Sequence, residues 1–209
     1  MTSDIAATRS AYDGIAEVYS DFARDQLDWN PLPRRMLTAF AESVGGGGEV
    51  ADIGCGPGWI TAELAGLGLD VRGIDLSDRM IALARAEFPH LRFDQGTMES
   101  LPFDDDTLDG VVAWYSMIHL PPDRIPGVLA EFTRVLRPGG HALLATFAID
   151  GSEVVEPFDH KVIRAYRWPL RRLAELSRAG GLEVLARLIR EPGSGERFEQ
   201  GYLLCRKPR

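Results

Sequence analysis

Cysteine is almost missing from this chain. Cys55 and Cys205 are the only two, and they form neither a CxxC pair nor a zinc-ligand spacing. A disulfide framework is thereby excluded, no metal site is expected, and a reduced, cytoplasmic setting is the simple reading. Long apolar runs are also lacking. None approaches the roughly 20 residues that cross a bilayer, so no membrane association is expected. The first residues, MTSDIAATRSAYDG, are polar and lack an apolar centre, so they do not read as a secretory signal. Positive charge is in short supply. With 23 Lys and Arg against 31 Asp and Glu, the net charge is -8, which disfavours nucleic acid as a partner. Arg164 to Arg172 and the tail Arg206-Lys207-Pro208-Arg209 read as solvated surface. What is present is ordinary: 45% hydrophobic residues over 209 positions, enough for one substantial core in one domain.

The pattern along the chain alternates between strand and helix. Ile5, Tyr12, Ile15, Ala16 and Tyr19 recur at helical spacing over residues 4 to 24, and residues 33 to 44 read as a second helix. The four glycines 45 to 48 are a connector. Strands are expected at 49 to 53, 70 to 74, 91 to 93, 107 to 113 and 141 to 147. Helices are expected at 59 to 65, 78 to 87 and 123 to 136, the last closed by Arg137-Pro138-Gly139-Gly140 as a helix stop and turn. Residues 148 to 168 show no obvious element. A helix at 169 to 179 and two strands around Pro192-Gly193-Ser194-Gly195 complete the chain. This alternation predicts an α/β fold: a parallel sheet with helices on both faces, closed by an antiparallel terminal pair.

The stretch ADIGCGPGWI, 51 to 60, places three glycines where a strand meets a helix. Such a turn lets a ligand lie against the main chain at the carboxyl edge of a sheet, although a plain tight turn would use glycine too. The next strand ends in GIDLS, with Asp75 at its tip, 23 positions after Asp52. A carboxylate there can accept hydrogen bonds from both hydroxyls of a ribose. It could also cap a helix, but Ser77 and Asp78 are better placed to do so. A nicotinamide dinucleotide would call for G-x-G-x-x-G. Here the glycines stand at 54, 56 and 58, and Trp59 occupies the place of the third.

The stretch EVADIGCGPGWITAELAGLGLDVRGIDLSDRMIALARA, with GTMESLPFDDDTLDGVVAWYSMIHLPP and VLRPGGHALLATF, resembles the class I S-adenosylmethionine-dependent methyltransferases, in particular small bacterial single-domain members. The resemblance runs over residues 8 to 147. It implies a Rossmann-like, mainly parallel seven-stranded sheet with its last strand antiparallel, and an N-terminal helical lid. It also divides the chain into that lid (1–44), a cofactor-binding core (49–147), a substrate-side connection (148–168) and a C-terminal helix and hairpin (169–209). The implied cofactor is S-adenosyl-L-methionine, with S-adenosyl-L-homocysteine as product. The expected partner is a small-molecule methyl acceptor, and the expected state a monomer or homodimer.

By that resemblance Asp52 orders the glycine loop or reaches the ammonium of the methionine moiety. Gly54, Cys55, Gly56 and Gly58 form the loop against which that moiety lies. Asp75 takes the ribose and Leu76 an adenine face, with Met80 either closing the pocket or simply in the core. Thr97, Met98 and Glu99 meet the adenine edge, Thr97 standing where relatives often carry an acid. Ala113 and Trp114 back the cofactor. Tyr12 and Tyr19, two helical turns apart, cover the methionine end or pack the lid. His119 is a general base or a structural histidine. Tyr115, His160, Tyr166 and Trp168 are candidate acceptor contacts, unless 148 to 168 is an exposed loop or an extra hairpin. The acidic run Asp104-Asp105-Asp106 reads as a solvated turn. A quinone-ring carbon methyltransferase and a non-catalytic cofactor-binding regulator remain as alternatives.

Overall fold

The computed structural model describes residues 3–24 and 31–209. Helices α1 (Ser3–Arg24) and α2 (Pro31–Val44) precede the first strand. The chain then runs β1 (Glu49–Ile53), α3 (Trp59–Gly66), β2 (Asp70–Asp75), α4 (Asp78–Glu87), β3 (Arg92–Gln95), β4 (Leu108–Trp114) and α5 (Ile125–Val135). It continues through β5 (Leu136–Ile149), β6 (Glu156–Asp159), β7 (Arg164–Pro169), α6 (Leu170–Ala179), β8 (Glu183–Arg190) and β9 (Gln200–Arg206).

Strands β3, β2, β1, β4 and β5 lie side by side in that order, all parallel. On the far edge of β5, β9 runs antiparallel, and β8 pairs antiparallel with β9. The seven strands expected are therefore present, and two more join them. Residues 148 to 168 are not featureless: β6 and β7 form an antiparallel hairpin, and β7 pairs in parallel with Ala148 and Ile149 at the end of β5. The segment Arg137 to Gly140 also differs from expectation. It lies within β5, where the pairing with β4 shifts between Leu108 and Gly110, so the helix stop doubles as a strand irregularity.

Apolar runs explain why the central strands are buried on both faces. Val50, Ala51, Val111, Val112, Leu143 and Leu144 are all fully buried. One face carries α5 and α6, whose Val128, Leu129, Phe132, Leu173 and Ala174 form the larger core. The other face carries Leu37 and Phe40 of α2 and Leu64 of α3. The topology reverses direction beside β1, whose neighbours are β2 and β4. In open α/β sheets that is where ligands bind, beyond the carboxyl ends of the strands.

Candidate functional site

A cavity of about 900 Å³, counting the space open to solvent, lies at that carboxyl edge, roofed by α1. Its floor is the loop between β1 and α3. The amides of Gly54 and Cys55 both donate to the Ile74 carbonyl, at 2.7 and 3.1 Å, which fixes the loop to β2. Gly56 lines the cavity with φ 53°, in the left-handed region that side chains resist, and its nearest foreign atom would lie 3.8 Å from an added Cβ. Gly58 serves another purpose. A Cβ there would meet the Phe93 ring at 2.9 Å, so this glycine lets Phe93 pack and does not face the cavity.

Asp75 organises the loop. One carboxylate oxygen accepts from the Gly56 amide and the other from the Ser77 amide, each at 2.8 Å. Burial raises its pKa, and those backbone bonds oppose the rise. Asp52, expected to order the loop or reach the ammonium, hydrogen-bonds to Thr61 of α3 rather than to the loop. Its side chain is fully buried below, where one oxygen accepts from the Thr61 hydroxyl at 2.7 Å and the other, Oδ1, has no hydrogen-bond partner. Desolvation pushes its pKa up to about 7, against the lowering effect of Thr61. Ser77 caps α4 by accepting from the Met80 amide, as the sequence suggests, and Met80 is both core and cavity wall.

Of the residues singled out in the sequence, the cavity gathers Tyr12, Tyr19, Gly54, Gly56, Asp75, Leu76, Met80, Thr97, Met98, Trp114, Tyr115 and His119. Others stand back from it. Cys55 is buried against the cluster around Phe93, and Ala113 lies in the main core. Glu99 acts through Arg124, whose guanidinium it grips with both oxygens, and it is Arg124 that lines the wall. Trp168 is 2% exposed inside the core and does not reach the cavity. Tyr166 packs half-buried on the same core. His160 stacks edge-on to His119 at 5.1 Å, one ring removed from the cavity wall. Asp105 and Asp106 pair with Arg134 and Lys207, and among the described residues no cluster of acids, histidines or cysteines converges as a metal site.

The sequence reading missed several lining residues. Ile5 continues the seven-residue spacing of Tyr12 and Tyr19 and was within reach of that pattern. Thr8, Arg9, Ser116, Pro121 and Arg124 carried no local signal.

At the end of the cavity beside β7, Nδ1 of His119 lies 3.0 Å from the Arg164 carbonyl. A carbonyl only accepts, so Nδ1 carries the proton and Nε2 presents its lone pair. The Tyr12 hydroxyl, 2.7 Å away, donates to it. Burial pushes the His119 pKa down to about 4, with the nearby His160 acting in the same direction. Burial also holds the Tyr12 phenol protonated, well above its usual range. Tyr115, beside them, adopts φ 52° and bonds the Tyr202 hydroxyl at 3.0 Å. A tyrosine in the left-handed region costs about 1–3 kcal/mol, borne where the chain leaves β4 and enters the cavity wall.

Comparison with known proteins places this arrangement. Residues 50–140 match the methyltransferase domain family. The demethylmenaquinone methyltransferase of Chlorobaculum tepidum is 37% identical over 155 residues, covering 69% of this chain and 61% of that protein. That of Tropheryma whipplei is 32% identical over 181 residues, covering 82% and 70%. Among solved structures, the 1,6-didemethyltoxoflavin-N1-methyltransferase of Burkholderia thailandensis, with 1,6-didemethyltoxoflavin and S-adenosylhomocysteine bound, shares the fold at TM-score 0.80 and 22% identity, over 98% of this chain and 88% of that one. The chain belongs to the S-adenosylmethionine-dependent methyltransferases.

The cavity suits that family's cofactor on its own evidence. Gly56 leaves open the room a side chain would fill, and the buried Asp52 has an oxygen without a partner below the loop. Trp59, in the place of a dinucleotide motif's third glycine, opens α3 and stacks edge-on against Phe88 at 5.0 Å.

Proposed function

We propose that this chain transfers the methyl group of S-adenosylmethionine to a small-molecule acceptor that arrives protonated. The observation that carries this reading is the hydrogen-bonded chain at the cavity wall from the Tyr12 hydroxyl through the His119 imidazole to the Arg164 carbonyl. In this reading Gly54, Gly56 and Tyr19 hold the methionine end, Asp75 the ribose, and Leu76, Thr97 and Met98 the adenine. The bound sulfonium supplies an electrophilic methyl group.

The remaining work falls to this chain's own residues. The cavity orients the acceptor and the α1 roof excludes water, which converts an encounter in solution into an aligned one. Because the Tyr12 hydroxyl already occupies Nε2, the proton moves by relay: the Tyr12 oxygen takes the proton of an acceptor hydroxyl as its own proton passes to His119 Nε2. The His119 Nδ1–H keeps the bond to the Arg164 carbonyl as the ring becomes charged. A neutral imidazole is the form needed, and burial keeps it neutral at neutral pH while lowering its basicity.

The net charge of -8 supports a small metabolite, in keeping with natural-product chemistry, over RNA. A specific observation favours a second reading: the two relatives described above are named for demethylmenaquinone, so a quinone-ring carbon is the alternative acceptor. A cytoplasmic setting completes the proposal, supported by two buried free thiols. Incubating the protein with methyl-labelled cofactor, one arm containing a metabolite extract and the other a demethylated naphthoquinol, tests it. Label in the quinol favours the second reading. Label in neither, with intact cofactor binding, points to the non-catalytic regulator.

A further inference from the structure

Besides Tyr12 and Tyr19, which reach into the cavity, the roof is held by a stripe of charge. Among the described residues of α1 only Ala16 is buried, and Val18 is 76% exposed. Yet α1 supplies Ile5, Thr8, Arg9, Tyr12 and Tyr19 to the cavity. Its docking lies on a second stripe. Arg9, Asp13 and Glu17 are spaced by four, so they share one face of the helix. They meet three consecutive residues at the start of α4. Arg9 pairs with Asp78, Asp13 accepts from the Ser77 hydroxyl at 2.5 Å, and Glu17 pairs with Arg79 at 2.7 Å. Asp13 therefore places its carboxylate at the N-terminus of α4, where the helix dipole favours it. Asp75 and Leu76 of the cavity immediately precede these three.

We propose that Arg9, Asp13 and Glu17 form a polar latch on the first turn of α4 that positions Tyr12 and Tyr19, and that its screening by salt weakens cofactor binding. This rests on the cofactor reading above. Exposed ion pairs are individually weak and are screened by salt; in the Glu17–Arg79 rung the side chains are 71% and 56% exposed. A ligand that needs α1 docked binds less tightly in proportion to the fraction undocked. S-adenosylhomocysteine itself carries one ammonium and one carboxylate, so its own contacts respond less to salt than a net-charged ligand's would.

The test is calorimetric titration of S-adenosylhomocysteine into the wild type, Glu17→Arg, Arg79→Glu, the double exchange, Asp13→Asn, and Glu175→Lys as a control on α6. Raising NaCl from roughly 0.05 to 0.5 M, which shortens the screening length severalfold, is expected to weaken wild-type binding about tenfold. Each single reversal is expected to weaken it about five- to tenfold at low salt. The double exchange, which restores opposite charges, should return to within about twofold of wild type. Asp13→Asn should weaken binding with the fold intact by melting, and the control should be neutral. Salt-independent binding, neutral single reversals, or a double exchange no better than either single would overturn the latch while leaving the cofactor assignment standing. Failure of the wild type to bind S-adenosylhomocysteine would overturn both.

Discussion

The hydroxyl of Tyr12 donates to Nε2 of His119 at 2.7 Å, joining the N-terminal helix to the turn after β4. One consequence is a fixed tautomer. Because the Arg164 carbonyl takes the Nδ1 proton, the nitrogen shifts of the His119 ring should show Nδ1–H at neutral pH, with a titration midpoint near 4. A midpoint near the ordinary 6.5, or Nε2 protonation, would contradict the arrangement.

Turnover separates the two roles open to His119. As general base, its replacement by Ala should lower turnover about 100-fold or more without changing cofactor affinity, once an acceptor is known. As a structural residue it should lose about 1 kcal/mol of stability and keep most of its turnover. Tyr12→Phe removes the donor to Nε2 and breaks the relay, so it should cost about 1 kcal/mol of stability and lower turnover in the same sense as His119→Ala.

Stability against pH carries two opposed slopes. His119 is depressed to about 4, so between pH 6.5 and 4 the unfolded chain takes up a proton that the native chain refuses. That contribution is full above pH 6.5 and is lost as pH falls, on the order of 3 kcal/mol. Asp52 is raised to about 7, so the native chain holds the extra proton between pH 4 and 7, and stability falls as pH rises through that range. His141 and His160 act in the sense of His119, and Asp75 in the sense of Asp52. Denaturant midpoints from pH 4 to 7 should therefore tilt in opposite directions in His119→Gln and Asp52→Asn, relative to wild type. A common tilt would show that these groups do not carry the dependence.

Asp75→Ala is expected to do more than remove a ribose contact. Losing the charge-assisted pair should weaken S-adenosylhomocysteine binding roughly 30- to 150-fold. The Gly56 and Ser77 amides also lose their acceptor, so the cofactor-free protein should fall by about 1–3 kcal/mol, measured by denaturation. A solvent-facing strand tip would leave that stability unchanged. Half-buried Asp75, bonded to two amides, rules out that picture.

The sequence makes legible those features whose chemistry is local. The glycine loop and the strand tip at Asp75 can be placed because spacing alone brings them to neighbouring strand ends. The Ser77 cap follows from its position before Asp78. The partners of His119 cannot be read this way. One lies 107 positions away and the other is a main-chain carbonyl, which no side-chain pattern announces. Gly58 shows the opposite error. It fits a ligand-loop motif, yet a phenylalanine from β3 fills the space beside it. Trp168 was a candidate acceptor contact because an aromatic ended a long connection. The connection folds as a hairpin instead, and the pairing of Trp168 with Ala148 turns that segment into core. The Asp75 carboxylate holds the loop where Asp52 was the candidate, because the Asp52 side chain turns below the loop to Thr61.

The most direct measurement is a calorimetric titration of the purified protein with S-adenosylhomocysteine and, separately, with NADH. The glycine spacing, Asp75 and the Trp59 position together predict binding of S-adenosylhomocysteine with a dissociation constant in about the micromolar range and no binding of NADH at comparable concentration. NADH binding without a response to S-adenosylhomocysteine would contradict the cofactor on which every role described here depends.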